Sequence, residues 1–183
     1  MRLWRVLPLD PRAPDDAPGG ALWIPRGFQG TARHDSPEHY GCLYLAEDPI
    51  SAVAEILAPF RGTGDLDESL LVRSGRRLAL AELELGDDAV LVDLDDPAEL
   101  QVEQLRPSVV ATGRRTVTQA YALAIFERRS DIAGLRWWST LESSWINVSL
   151  FDRAIDSVSV LSKQPLRLDA EPVVAAARHL GLA

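Results

Sequence analysis

The stretch from Pro25 to Gly41 constrains this chain most. Its three glycines (Gly27, Gly30, Gly41) and two prolines (Pro25, Pro37) break any helical period and any continuous strand ladder. A segment this long and irregular inside a compact domain is uncommon, and where it occurs it is functional or disordered. A second irregular stretch, rich in Pro, Asp and Gly, runs from Pro8 to Gly20. The first quarter of the chain is thereby reduced to two short strands, Leu3–Leu7 and Leu43–Leu45.

The rest is more regular. Asp48-Pro49 is a helix start, because Asp can cap free amides and Pro is tolerated in the first turn. The helix is predicted to reach about Ala58, with Ile50, Val53, Ala54 and Leu57 as its buried stripe. Apolar residues alternate with Glu82, Glu84 and Asp93 over Leu78–Leu85 and Val90–Leu94, a pattern that predicts a half-exposed hairpin. Helical spacing over Thr116–Arg129 points Ala120, Tyr121, Leu123 and Ala124 inward. Strands follow around Leu135–Ser139, Trp145–Phe151 and Val158–Leu161, then a polar helix over Glu171–Leu180. Strands separated by irregular loops and a few helices predict an α+β fold with a mixed or antiparallel sheet. The expected organisation is one domain over residues 1–183, with a core of about 3–156 and a C-terminal extension of about 157–183 that adds a surface helix.

Composition narrows the chemistry. With 183 residues, 46% hydrophobic and 25% charged, the chain has the balance of a globular domain. A net charge of −8 disfavours direct nucleic-acid binding, since a polyanion is repelled unless a basic stripe overrides the field. The pairs Arg76/Arg77, Arg114/Arg115 and Arg128/Arg129 lie scattered among acids and read as solvated faces. Cys42 is the single cysteine, so no intrachain disulfide can form and a reducing, cytoplasmic setting is expected, with Cys42 as a small buried side chain. The N-terminus shows no apolar signal-peptide core, and no apolar run is of membrane-spanning length. Lys163 is the only lysine, without a phosphate-loop motif around it, so nucleotide binding here would have to use arginine. His34, His39 and Cys42 with Asp35 and Glu38 match no zinc spacing, and the acidic clusters Asp65–Glu68 and Asp93–Glu99 lack calcium-loop spacing. No bound metal is expected. A Ser-His-Asp hydrolase finds no nucleophile elbow.

A series of polar residues instead stands out, each at the edge of an apolar element: Arg5 after Trp4, Arg33 in the long loop, Tyr44 in a strand, Glu55 on the first helix, and Ser139 after Trp137-Trp138. The chain resembles the RES-domain family in the order Trp4-Arg5-Val6, Gly30-Thr31-Ala32-Arg33, Tyr44-Leu45-Ala46, Ala52-Val53-Ala54-Glu55, and Trp138-Ser139 leading to Asn147 and Leu150-Phe151-Asp152. The resemblance covers roughly Leu3 to Asp156. One departure is that Arg33 follows Ala32 and precedes His34, where family members commonly have Gly-Arg and an aromatic. Arg26 therefore stands as a rival for the loop arginine.

The resemblance implies an ADP-ribosyltransferase-like fold, with a mixed β-sheet core and surrounding helices, and an enzyme that cleaves the nicotinamide–ribose bond of NAD⁺ by phosphorolysis or hydrolysis. It implies NAD⁺ as substrate, no resident cofactor, and phosphate as a co-substrate in the phosphorolytic case. It further implies a toxin controlled by an Xre-like antitoxin, as a hetero-oligomer or a homo-oligomer. Protein ADP-ribosylation and a non-catalytic NAD-binding module are the alternatives. Glu55, Arg33 and Ser139 take the catalytic positions, and Arg5, Tyr44 and Asn147 the binding positions.

The residue types suit that chemistry. Cleavage builds oxocarbenium-like charge on the ribose, which a carboxylate such as Glu55 stabilises more in the transition state than in the ground state. Pyrophosphate is held by the bidentate forks of arginine, here Arg5 and Arg33. Tyr44 can orient the nicotinamide side, and Ser139 can bond substrate or steady Glu55. Each residue also has an ordinary reading: Glu55 as a solvated helix glutamate, Arg5 as a salt-bridge donor, Tyr44 as sheet packing and Ser139 as a strand end. Trp137 and Trp138 cannot both face the core of one extended strand.

Overall fold

The computed structural model describes residues 1–182, so the last residue of the expected C-terminal extension lies outside the described residues. The elements run β1 (Arg2–Pro8), β2 (Cys42–Ala46), α1 (Pro49–Leu57), β3 (Val72–Arg73), β4 (Arg76–Leu85), β5 (Leu91–Asp93), α2 (Pro97–Val102), α3 (Pro107–Val110), α4 (Arg115–Arg128), β6 (Gly134–Trp138), β7 (Ile146–Phe151), β8 (Val158–Pro165) and α5 (Glu171–Leu180). The fold class is α+β with a mixed, mostly antiparallel sheet, as the sequence predicts. No helix among the described residues is long and apolar enough to cross a membrane.

The chain forms two compact units. The first comprises Met1–Trp23, Leu45–Glu84 and the chain from Ser159; the second comprises Ile24–Tyr44 and Leu85–Val158. In the first unit, β4 pairs antiparallel with β1 along its length, from Arg2 opposite Glu84 to Pro8 opposite Leu78. The short β3 and also β8 lie on β4, and the Ala46 end of β2 pairs with Trp4. On β4, Ala79, Ala81, Leu83 and Leu85 are buried while Glu84 is exposed, the two-residue period of a half-buried strand. Helix α1 starts where Asp48 accepts from Ile50 N (2.7 Å) and Ser51 N (3.1 Å), with Pro49 at its first position. It packs on β1 and on α5, burying Val53, Ala54 and Leu57 while Ile50 stays partly exposed. Helix α5 buries Val173, Ala176, Ala177 and Leu180 along one face and ends at Gly181, whose φ of +70° is the left-handed cap that glycine adopts readily.

In the second unit the strand order is β2-β7-β6-β5. Strands β6 and β7 are antiparallel, from Gly134 opposite Leu150 to Trp138 opposite Ile146. Gly134 permits that approach, since a Cβ there would lie 2.3 Å from the Ser149 carbonyl oxygen. A core of Tyr40, Cys42, Val92, Leu94, Leu100, Tyr121, Ile125, Leu135, Trp137 and Phe151 fills the unit, with Cys42 a buried free thiol as expected.

Two sequence expectations are corrected. Leu78–Leu85 and Val90–Leu94 form no hairpin: β4 pairs with β1, β3 and β8, whereas β5 pairs in parallel with β6, Leu91 opposite Gly134. A parallel partner needs a long crossover, and the chain between β5 and β6 supplies it as α2, α3 and α4. The buried stripe of α4 is Thr118, Tyr121, Ala122 and Ile125, while Ala120 and Ala124 are exposed and Leu123 is half-buried. Its spacing is helical, but two of its members are polar groups satisfied by hydrogen bonds, so counting apolar residues alone shifts the phase.

Candidate active site

The long loop is not disordered. It opens with a single 3₁₀ turn over Arg26–Phe28. The Gln29 side chain then substitutes for a strand, donating to Cys42 O (2.5 Å) and accepting from Cys42 N (3.0 Å). The Asp35 carboxylate accepts from Gly30 N (2.7 Å) and Ala32 N (2.8 Å), folding the segment back on itself. Helix α4 grips the same residues: Gln119 donates to the carbonyls of Gly30 and Ala32, and Thr118 to that of Arg33. Tyr40 donates to the carbonyl of His34 (2.7 Å). Side chains thus supply the hydrogen bonds that an irregular backbone cannot make to itself.

This scaffold buries Arg33, which is 5% exposed. One guanidinium nitrogen donates to the carbonyls of Val110 (2.8 Å) and Thr112 (3.0 Å), and the guanidinium lies 4.8 Å from the Trp137 ring centroid, a cation–π distance. The adjacent His34 is fully buried, with Nδ1 2.8 Å from Ser149 Oγ and Nε2 2.8 Å from Tyr121 Oη. Trp137 Nε1 donates to the same Ser149 oxygen (2.9 Å). Burial first, then the charges of Arg33 and Arg115, hold the imidazole well below its ordinary pKa, so it is neutral at pH 7. Burial raises the Tyr121 phenol to about 12, a rise that Arg33 opposes.

Tyr44 belongs to the same network. Its hydroxyl accepts from His34 N (2.9 Å) and donates to Asp35 Oδ1 (2.8 Å), and burial, with Cys42 and Asp35 adding to it, pushes its pKa well up. Asn147 lies opposite Trp137 in the β6–β7 register and is buried. It shares a face of β7 with Ser149, two residues on. Ser139 follows β6, is 1% exposed, bonds through its amide to Trp145 O (2.7 Å) and accepts at Oγ from Leu141 N (3.1 Å). Strand alternation carried one residue past β6 puts Ser139 on the face of Trp137. Arg33, Tyr44, Asn147 and Ser139 are therefore gathered around one face of the second unit's sheet.

Arg5 and Glu55 belong to the first unit. Arg5 donates to the carbonyls of Ala21 (2.6 Å) and Trp23 (3.0 Å), closing the Pro-rich loop that follows β1. Burial lowers its guanidinium to about 10, which leaves it charged at neutral pH. Glu55 is exposed on α1. The rival Arg26 is also exposed, donating to Pro37 O (2.6 Å) and pairing with Asp152 at 3.3 Å.

The sequence pattern raised His34 and Asp35 only as metal ligands and Tyr121 only as an inward-facing residue, and it gave Ser149 no role. The signal available was the polar pair Thr118/Tyr121 at one-turn spacing, on the same helix face as Ala122 and Ile125. The described residues contain no His/Cys/Asp/Glu group able to hold a metal ion. The arginine pairs are surface ion pairs in part: Arg76 meets Asp10 and Arg77 meets Glu68, while Arg128 and Arg129 both reach the buried Glu103.

Comparison with solved structures finds similarity to the crystal structure of the M. tuberculosis MbcT–MbcA toxin–antitoxin complex, with a TM-score of 0.64 and 15% identity over 95% of this chain and 86% of that one. At that identity the likeness is one of fold. No curated protein matches the chain in sequence at a significant level. The RES domain family model matches residues 2–170, a span that includes Arg5, Arg33, Tyr44, Glu55, Ser139 and Asn147, and on that match the chain belongs to the RES-domain family.

Proposed function

We propose that this chain degrades NAD⁺ by cleaving the nicotinamide–ribose bond, and that it acts in the cytoplasm as the toxin of a toxin–antitoxin pair. The observation that carries the reading is the family match over residues 2–170, which takes in all six polar positions with Arg33, Tyr44, Asn147 and Ser139 on one sheet face. In this reading Glu55 stabilises the oxocarbenium-like ribose as nicotinamide departs neutral, so no strong general acid is required. Arg5 and Arg33 hold phosphate oxygens, Tyr44 and Asn147 orient the substrate, and Ser139 steadies its bonding. The chain works without a resident cofactor; inorganic phosphate or water accepts the ADP-ribose.

The structurally similar MbcT was solved in a toxin–antitoxin complex with MbcA. We extend that relation to a partner here, an Xre-like antitoxin that silences the site in a hetero-oligomer. DNA contact then falls to the partner, in keeping with this chain's net charge of −8.

The alternative reading is an NAD-binding module without turnover on the same fold. One experiment separates these. Purified protein is incubated with NAD⁺ with and without phosphate, and the products are identified. Nicotinamide with ADP-ribose 1″-phosphate is the result of phosphorolysis, and nicotinamide with ADP-ribose in either buffer is that of hydrolysis. Tight NAD⁺ binding with no nicotinamide release overturns the enzymatic reading in favour of the module.

A further inference from the structure

His34 lies deep in the second unit yet is surrounded by polar atoms. Both ring nitrogens are engaged at 2.8 Å, with Ser149 and Tyr121, and Ser149 accepts from Trp137 at the same time. Where Ser149 accepts from Trp137 and donates to Nδ1, the Nε2–H donates to Tyr121 Oη. His34 also meets the rings of Tyr121 and Trp137 edge-on, at 5.4 and 5.3 Å between centroids. A side chain needed only to fill space here would be apolar, since a buried polar group is costly unless every partner is in place.

The two arms of this network converge on one cation. Trp137 carries the Arg33 guanidinium over its ring, and the Tyr121 hydroxyl oxygen accepts a hydrogen bond from the Arg33 side chain. The main chain of His34 is clamped as well, its amide by Tyr44 and its carbonyl by Tyr40. We propose that His34 is a positioning residue that acts through Tyr121 and through the Ser149–Trp137 pair to hold the Arg33 guanidinium in the one placement that meets the substrate's phosphates. This rests on the NAD⁺-cleaving reading. His34 itself touches neither substrate nor reacting atoms in this role. Its contribution is orientation, because a guanidinium held by two carbonyls and a ring on a fixed support loses less entropy on binding an anion than a free one.

The test is a double-mutant cycle. Tyr121→Phe and Ser149→Ala each remove one arm with little change in volume, and each is made alone and together with Arg33→Ala. Nicotinamide release gives KM and kcat, calorimetry with ADP-ribose gives a Kd, and thermal unfolding reports on folding. Each single variant is expected to raise KM and the ADP-ribose Kd by roughly threefold to tenfold with kcat nearly unchanged, and to have almost no further effect once Arg33 is alanine, because residues acting through a shared group are not additive. Effects that persist undiminished in the Arg33→Ala background, or that fall on kcat alone, overturn the positioning role. Failure of the unmutated protein to release nicotinamide overturns the cleavage reading, and the ADP-ribose Kd then decides the coupling by itself. Failure to bind ADP-ribose as well overturns both.

Discussion

Arg33 and Glu55 have opposite surroundings, and substitutions at the two should separate accordingly. Arg33→Ala leaves the carbonyls of Val110 and Thr112 without their donor and empties a buried site beside Trp137. A loss of about 1–3 kcal/mol of stability is expected. If Arg33 also contacts phosphate, KM for NAD⁺ rises by roughly ten- to a hundredfold, the scale of one charge-assisted contact. Arg26→Ala removes an exposed pair and should cost less than about 1 kcal/mol, with KM nearly unchanged. Unfolding midpoints and nicotinamide-release kinetics on both variants check this ranking, and the reverse order would move the loop arginine to Arg26. Glu55 is exposed on α1, so Glu55→Gln should leave the midpoint alone and lower kcat by about a hundred- to a thousandfold. Turnover close to that of the unmutated protein would remove Glu55 from the chemistry. The sequence nominates both positions through the order of the family's residues, and these substitutions test them. His34 was not, because its partners Tyr121 and Ser149 are 87 and 115 residues away and come together only on folding.

At the scale of elements, local signals proved the most readable. Asp48-Pro49 marks the start of α1, and Asp48 does accept two amides of the first turn. Asp48→Ala should cost about 1 kcal/mol, the usual worth of an N-cap, and lower the midpoint by roughly 2–4 °C in a chain of this size, whereas Asp48→Asn should lose much less. Equal losses for the two would mean that the charge of Asp48, not its capping geometry, matters. What the sequence did not reveal was the pairing between elements. Alternation identified β4 and β5 as strands, but adjacency in sequence suggested a hairpin where β5 takes β6 as a parallel partner across three helices. Alternation reports which face of a strand is buried and carries no information about which edge is paired. Helix α4 lies where the sequence predicts it, with Tyr121 inward, but the rest of its buried face was misplaced for a related reason. Its inward positions include Thr118, which bonds the Arg33 carbonyl, and Tyr121, which bonds His34, so contacts with the long loop determine a phase that hydrophobicity alone misplaces.

For the whole molecule, a neutral histidine sealed in the core ties global stability to pH. His34 has a folded-state pKa well below 6.5 because burial and the charges of Arg33 and Arg115 disfavour a second cation, while in the unfolded chain it titrates near 6.5. Below that pH the unfolded state binds a proton that the folded state refuses. Stability is therefore fully present above about 6.5 and falls on acidification, by about 1.4 kcal/mol per pH unit, until the folded pKa is reached. The exposed carboxylates Asp67, Asp131 and Asp169, whose pKa values are lowered from 3.8 by their hydrogen bonds, lose their contributions only in the carboxylate range, well below this window. The sequence pI near 4.9 sets the practical lower bound, since a vanishing net charge promotes association. Chemical unfolding between pH 5.5 and 8 should show a plateau at the alkaline end and a decline below 6.5. In His34→Gln, which keeps hydrogen-bonding capacity but cannot take the proton, the plateau should sit lower and the decline should flatten. An unmutated protein whose stability is level from pH 6.5 to 5.5 would mean that His34 accepts its proton as readily folded as unfolded, and the closed, neutral network around Arg33 would have to be abandoned.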